Sequence, residues 1–284
     1  MNKIAKTALV TGGTHKDIDA MGVLALNLKD KAPLIADELV IIHDYPNEVP
    51  KKIMQAFNSV MSTRFIKYNC PIPKWILYQN KNIRYFSPMV FCKIECFSLL
   101  KEYETVIWSD YDVLIRDDLS ELAKLDSSNN EEQYCFVVNP DSILDRMFYP
   151  TVHRLLGKNN KKANELHNYD LNGECITTPL FVMQGISSKK VEEYVDFCYD
   201  IARKYMRYLY LPEQCLFTML FQKYGINYSS IDRNIYVCHP KDADENTKIL
   251  HAYGQPKFWN GLENEQWSAY YEQWKKLKDD FRED

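Results

Sequence analysis

Glycine is scarce in this sequence, at 9 of 284 residues, about 3% where soluble proteins average about 7%. That scarcity excludes collagen-like repeats and glycine-rich phosphate cradles repeated along the chain. The eight cysteines (Cys70, Cys92, Cys96, Cys135, Cys175, Cys198, Cys215 and Cys238) form no C-x-x-C pair, and their closest spacing is Cys92-x-x-x-Cys96. A disulfide framework is not expected at this length, and buried thiols are the better reading. No apolar run reaches the ~18 residues of a membrane span. The N-terminal Met1-Asn2-Lys3-Ile4-Ala5-Lys6-Thr7 lacks the apolar core of a secretory signal. Neither sign of charge dominates: 35 Lys and Arg stand against 39 Asp and Glu, net −4. Such a balance offers no electrostatic footprint for nucleic acid and no polybasic attraction to anionic lipid. A soluble, cytoplasmic, globular chain is expected.

What is present is ordinary in bulk, 46% hydrophobic and 26% charged, with one excess: 20 tyrosines. Residues 7–10, 38–43, 64–68 and 105–108 read as strands, with Thr11-Gly12-Gly13 as the loop after the first. Residues 20–28, 49–61 and 88–100 carry helical spacing between them. Strands separated by helices of this length predict βαβ units and a mainly parallel sheet. In the second half, 134–138 and 179–183 read as strands, 191–210 as an amphipathic helix and 263–281 as a C-terminal helix. Polar stretches 126–133, 157–170 and 241–248 read as loops. With no repeat and no linker, one domain is expected over 1–284: a nucleotide-binding half to 125, a second half over 126–260, and the C-terminal helix over 261–284.

Three Asp-x-Asp triplets occur, at Asp17/Asp19, Asp110/Asp112 and Asp242/Asp244. With 21 Asp in the chain, roughly one or two arise by chance, so context must separate them. Only Asp110-Tyr111-Asp112 follows a buried strand directly. Residues i and i+2 of extended chain point the same way, so both carboxylates face one spot at the carboxyl edge of the sheet, where open α/β folds bind ligands. Two hard oxygen donors suit Mg²⁺ or Mn²⁺; turn formation at a strand end is the plainer alternative. His251-Ala252-Tyr253-Gly254-Gln255-Pro256-Lys257-Phe258-Trp259 repeats functional types at spacing three. His251 offers an imidazole that would favour Mn²⁺, Gly254 a close backbone approach to phosphate, and Lys257 a point charge. A turn with a buried aromatic is its plainer reading.

In this order the segments resemble glycosyltransferase family 8, the group of glycogenin and bacterial lipopolysaccharide galactosyl- and glucosyltransferases. The resemblance runs from Phe91-Cys92-Lys93 through Trp108-Ser109-Asp110-Tyr111-Asp112 to Asp117-Asp118-Leu119. Leu211-Pro212-Glu213-Gln214 and His251-x-x-Gly254-x-x-Lys257-x-Trp259 extend it. It implies a GT-A nucleotide-sugar-binding fold, a UDP-sugar donor, a glycan acceptor, a divalent cation (Mn²⁺ or Mg²⁺) and transfer of a hexose with retention. By motif match Asp110, Asp112 and His251 would hold the metal. Gly254 and Lys257 would bind the diphosphate, Lys93 would lie near donor phosphate or sugar, Tyr111 would line the donor site, and Thr11, Gly12 and Gly13 would border the uridine.

Five features depart from the family pattern: the loop Thr14–Asp19 lacks the Tyr that often stacks on uracil, Thr177-Thr178-Pro179 replaces its Asn-Ser-Gly or Asn-Ala-Gly, Glu213 its Asp, Cys215 an Asp, and Phe258 a Pro. Glu213 and Gln214 are the candidates for the catalytic step, as nucleophile or sugar-orienting group and as cation stabiliser; a plain helix start after Pro212 is the alternative. A weakly catalytic sugar-nucleotide or glycan-binding protein and a sugar nucleotidyltransferase are the rival functions. The Trp267/Trp274 tail leaves peripheral association with the inner face of a membrane open, although its mixed charges argue against firm lipid binding.

Overall fold

The computed structural model describes residues 5–123, 133–149, 165–185 and 188–281. The polar stretches expected as loops at 126–133 and 157–170 fall largely outside them; the third, at 241–248, is a turn built on Asp244, whose Oδ1 accepts from the Asn246 and Thr247 amides.

Seven strands form one sheet in the order β3-β2-β1-β4-β7-β6-β8. β3 (Thr63–Lys67), β2 (Glu38–His43), β1 (Ala5–Gly13) and β4 (Tyr103–Ser109) run parallel, as the helix-separated spacing predicts. β7 (Glu174–Gln184) is antiparallel to β4 and to β6 (Gln133–Ile143), while β8 (Ser229–Ile231) is parallel to β6. Alternation along β1 divides the core: Ala8 and Val10 face one side and Leu9 the other. On the Leu9 side pack α1 (Ile18–Lys31), α2 (Lys51–Val60) and the C-terminal α5 (Glu265–Asp280). On the opposite side pack α3 (Ser188–Tyr205), α4 (Pro212–Tyr224) and the segment 88–99.

Both tail tryptophans, Trp267 and Trp274, are buried, and an added Cβ on Gly22 of α1 would lie 2.1 Å from the Trp274 indole. The C-terminal aromatics are therefore core, as is Tyr205. Among the described residues no helix is long and apolar enough to cross a membrane. All eight cysteines are free.

Three expected elements differ. Thr11, Gly12 and Gly13 are not a loop but the end of β1, paired with Ile41, Ile42 and His43. The glycines serve close approach, since a Cβ on Gly12 would sit 2.7 Å from Cys92 Sγ. Segment 88–100 is 3₁₀-wound over Pro88–Ile94 and α-helical only over Glu95–Leu99, packing having overridden its helical period. Helix α3 stops at Tyr205, and a 3₁₀ turn, Met206–Tyr208, replaces its expected last turn.

One pairing sets up the site. β5 (Val113–Ile115) and β9 (Ile249–His251) form a separate antiparallel ribbon with Val113 opposite His251. The fully buried Asn27 of α1 fastens it: Nδ2 donates to Ile115 O at 2.9 Å, and Oδ1 accepts from Ile115 N at 2.6 Å.

Candidate active site at the carboxyl edge of the sheet

β4 ends at Ser109 beside the end of β1, and the strand order reverses direction there, the position at which open α/β sheets bind ligands. Asp110 follows directly, its N–H donating to Pro179 O of β7 at 2.8 Å. The ribbon carries His251 back to the same spot, and Ala252 N donates to Asp112 O at 2.9 Å. One ligand atom each from Asp110, Asp112 and His251 lie within 4.8 Å of one another. His251 Nε2 is 3.2 Å from Asp112 Oδ1 and 3.8 Å from Asp110 Oδ2.

Two carboxylate oxygens and an imidazole nitrogen form a donor set that fits a divalent cation, with the nitrogen favouring Mn²⁺ over Mg²⁺. The other two triplets are structural: Asp17 accepts from Thr14, and Asp19 from Trp274 and Lys278, while Asp244 holds its own turn.

Asp112 is 8% exposed. Burial alone would raise its carboxyl, but the His251 imidazole and the Lys257 ammonium outweigh burial and hold it well below the usual carboxylate range. Lys257 Nζ bonds Asp112 Oδ2 and donates to Ala252 O at 2.8 Å. Gly254 has φ +74° with open space around it, a left-handed turn that glycine adopts without strain. Trp259 stacks on Tyr111 at 5.9 Å, tying this loop to the Asp-x-Asp segment.

A second, buried chain of polar groups leads inward from Asp110. Its Oδ1 accepts from Trp108 Nε1 at 2.8 Å and pairs with Lys93 Nζ at 2.8 Å. Lys93 also donates to Thr178 O at 2.8 Å and to Thr178 Oγ1 at 3.3 Å. These three acceptors match the three N–H donors of an ammonium, so Lys93 is turned toward Asp110 and Thr178. Burial opposes its charge, yet Asp110 and Glu213 raise its pKa above the ordinary lysine value. Thr178 Oγ1 in turn lies 3.2 Å from Glu213 Oε1, and Glu213 Oε2 is buried with no hydrogen-bond partner. Burial raises the Glu213 carboxyl, with Lys93 opposing.

Glu213 does sit in a helix start, second in α4 after Pro212, so the plain reading of that segment holds alongside its place near the site. Gln214 is half-buried beside it. Thr11 is fully buried with its Oγ1 unpaired, and Gly12 is half-buried at the strand end.

Trp108 and Thr178 as partners of this chain were not expected from the sequence. Trp108 had a signal, since it shares a strand face with Asp110 at i and i+2. Thr178 had none for this role, because its contacts join β7 to a 3₁₀ segment and to a helix start, both far away in the chain.

The model of glycosyl transferase family 8 matches residues 10–263, nearly the whole described edge and ribbon. The chain belongs to glycosyl transferase family 8. No curated protein sequence matches it. Among solved structures, it is similar to the galactosyltransferase LgtC in complex with donor and acceptor sugar analogs, at TM-score 0.63 and 13% identity over 96% of each chain. It is also similar to the WbbM bifunctional glycosyltransferase, at TM-score 0.65 and 13% identity, covering 96% of this chain and 50% of that one. The glycosyltransferase GlyE of Streptococcus pneumoniae TIGR4 follows at TM-score 0.58 and 16% identity, covering 97% of this chain and 63% of that one. At these identities the likeness shows the GT-A fold. The family 8 chain is thus a glycosyltransferase whose Asp-x-Asp, ribbon histidine and loop lysine meet at one edge.

Proposed function

We propose that this family 8 protein transfers a hexose of the glucose or galactose type from a UDP-sugar to a glycan acceptor with retention, in the synthesis of a cell-surface polysaccharide or lipopolysaccharide at the cytoplasmic side. The observation that carries the reading is the convergence of Asp110, Asp112 and His251 within 4.8 Å, with Lys257 alongside. The LgtC structure was solved with donor and acceptor sugar analogs, which supports a sugar donor and a glycan acceptor for this chain.

Asp110, Asp112 and His251 would hold Mn²⁺ or Mg²⁺. A cation there supplies Lewis-acid neutralisation of the charge that builds on a departing diphosphate. The chain's own residues do the rest. Lys257 moves from Asp112 to the diphosphate, adding positive charge to the leaving group. Gly254 lets the loop backbone approach it, and Tyr111 and the β1 terminus at Gly12 and Gly13 border the nucleoside. Lys93 fixes Asp110 through Oδ1, leaving Oδ2, on the His251 side, as the oxygen that would be offered to a cation. Glu213, with its unpaired Oε2, orients the donor sugar or attacks it, and Gln214 lies next to it for the developing cation.

The test is donor hydrolysis and transfer with UDP-, GDP-, ADP- and CMP-sugars, with and without Mn²⁺, reading the anomeric configuration of the product. Retained configuration from one UDP-hexose, dependent on Mn²⁺, supports the reading. Turnover of a sugar phosphate with nucleoside triphosphate would instead make the protein a nucleotidyltransferase.

A further inference from the structure

Charge balances over the whole chain but not along it. Residues 49–94 contain eight Lys and Arg and no Asp or Glu, in a protein of net charge −4. Within that stretch, Lys74, Trp75, Tyr78, Lys81, Arg84 and Phe86 are all exposed, four of them (75, 78, 81 and 84) at spacing three. Trp75 is 70% and Tyr78 66% exposed, the most open aromatic residues among those described. Rings this exposed are available for insertion into an interface.

The segment is fastened to a second basic, aromatic stretch. Asn80 Nδ2 donates to Met206 O and Leu209 O, both at 2.7 Å, and Asn82 Nδ2 to Tyr210 O at 2.7 Å. That stretch adds exposed Arg207, lying over the Tyr208 ring, and Tyr210, 46% exposed. Among the described residues, none of Lys74, Lys81, Arg84 and Arg207 pairs with a carboxylate. Just before Arg207 in the chain, Lys204 and Arg203 engage the carboxylates of Glu165 and Asp200.

From this charge and this exposure of aromatic side chains, we propose that residues 74–86 together with Arg207 and Tyr210 form a docking surface for an anionic lipid bilayer. Trp and Tyr settle at the boundary of headgroup and acyl chain, and Lys and Arg bind anionic headgroups while laying their stems along it. Each such cation strengthens partition by about fivefold near an anionic surface. Tyr210 precedes Glu213 by three residues, so docking turns the start of α4 toward the bilayer, where a lipid-borne glycan would present its acceptor end. That orientation rests on the transferase reading; the docking itself does not.

The experiment is flotation of the full chain, without donor or metal, with vesicles of phosphatidylcholine alone and of phosphatidylcholine with phosphatidylglycerol, at low and high salt. Binding is expected only with phosphatidylglycerol, weakened by salt, and reduced more than about a hundredfold by Lys74→Glu/Lys81→Glu/Arg84→Glu. Lys189→Glu/Lys190→Glu, on α3, is expected to bind as the parent does. Brominated lipid provides a reading that no destabilised variant can confuse: it should quench the parent's fluorescence, and Trp75→Phe should remove that quenching. Absence of vesicle binding, equal binding to neutral vesicles, or quenching that survives Trp75→Phe overturns the proposal. Retention of the chain on a soluble acidic polysaccharide without vesicle binding would assign the surface to glycan and overturn it as well. Because donor hydrolysis is measured separately, a chain that floats but does not turn over donor leaves docking standing and refutes the transferase reading alone.

Discussion

The ammonium of Lys257 rests on the Asp112 carboxylate, whose other oxygen faces His251 at 3.2 Å. A lysine thus stands in contact with the very carboxylate that a divalent cation held here would need. An unpaired carboxylate, 8% exposed, would be costly, so Lys257 balances it in the free protein; under the proposed function it would be released to a diphosphate once a cation took its place.

Lys257→Met should therefore split two affinities. Mn²⁺ alone is expected to bind several-fold more tightly, because it no longer competes with an ammonium. UDP-sugar binding in the presence of Mn²⁺ is expected to fall by about tenfold, one charge-assisted contact having been lost. Titration calorimetry with each ligand checks both signs.

Lys93→Met should act through Asp110. With the ammonium removed, Asp110 Oδ1 keeps only the Trp108 N–H, Thr178 loses the donor to its carbonyl and hydroxyl oxygens, and Glu213 loses its counter-charge. Loss of such a supporting group typically weakens metal binding by about 10–100-fold. The electron spin resonance of bound Mn²⁺, followed as the ion is titrated, reads that loss without turnover.

Glu213 gives a pH-dependent prediction. Its carboxyl is raised above the ordinary range by burial, so its contribution to stability is full below the unfolded value of about 4.3 and is lost as pH rises through the folded one. Glu213→Gln avoids that loss. The variant should melt above the parent near pH 8, with the difference shrinking toward about pH 4. Thermal melts across that range test the sign, and activity measured alongside reports whether the carboxylate itself is needed.

Gly22→Ala sets two effects against each other. Alanine improves helix propensity by about 1 kcal/mol, but its Cβ would lie 2.1 Å from the buried Trp274 ring. Overpacking of this kind costs about 1–3 kcal/mol, and a fully buried indole has little room to yield, so the clash should win. The melting temperature is expected to fall by about 2–6 °C.

How much of this was legible in the sequence depended on distance along the chain. The strand before Asp110 and the common face of its two carboxylates follow from a period of two and an apolar run, both local. So does the start of α4, where Pro212 takes the first helical position. The ribbon joining Val113 to His251 was not legible, because two three-residue strands carry no periodicity and their pairing spans more than a hundred residues. The resemblance of ordered motifs brought His251 to the metal; the residues alone did not. Lys93 was expected near the donor; that two of its three acceptors come from Thr178 on β7, beyond β4, was not legible, because no local pattern carries such a contact. Thr11-Gly12-Gly13 read as a loop because glycine pairs usually break strands, whereas here they allow Cys92 to approach. The chain-wide charge balance concealed the basic run at 49–94, since opposite signs elsewhere cancel it.

The central claim is that Asp110, Asp112 and His251 bind a cation that in turn holds a UDP-sugar. The direct measurement is the melting temperature of the parent and of Asp112→Asn with Mn²⁺, UDP-sugar, or both. The account predicts that UDP-sugar raises it in the parent only when Mn²⁺ is present, and that Asp112→Asn shows no such rise. Stabilisation by UDP-sugar that is equal with and without Mn²⁺, or equal in Asp112→Asn, would contradict it.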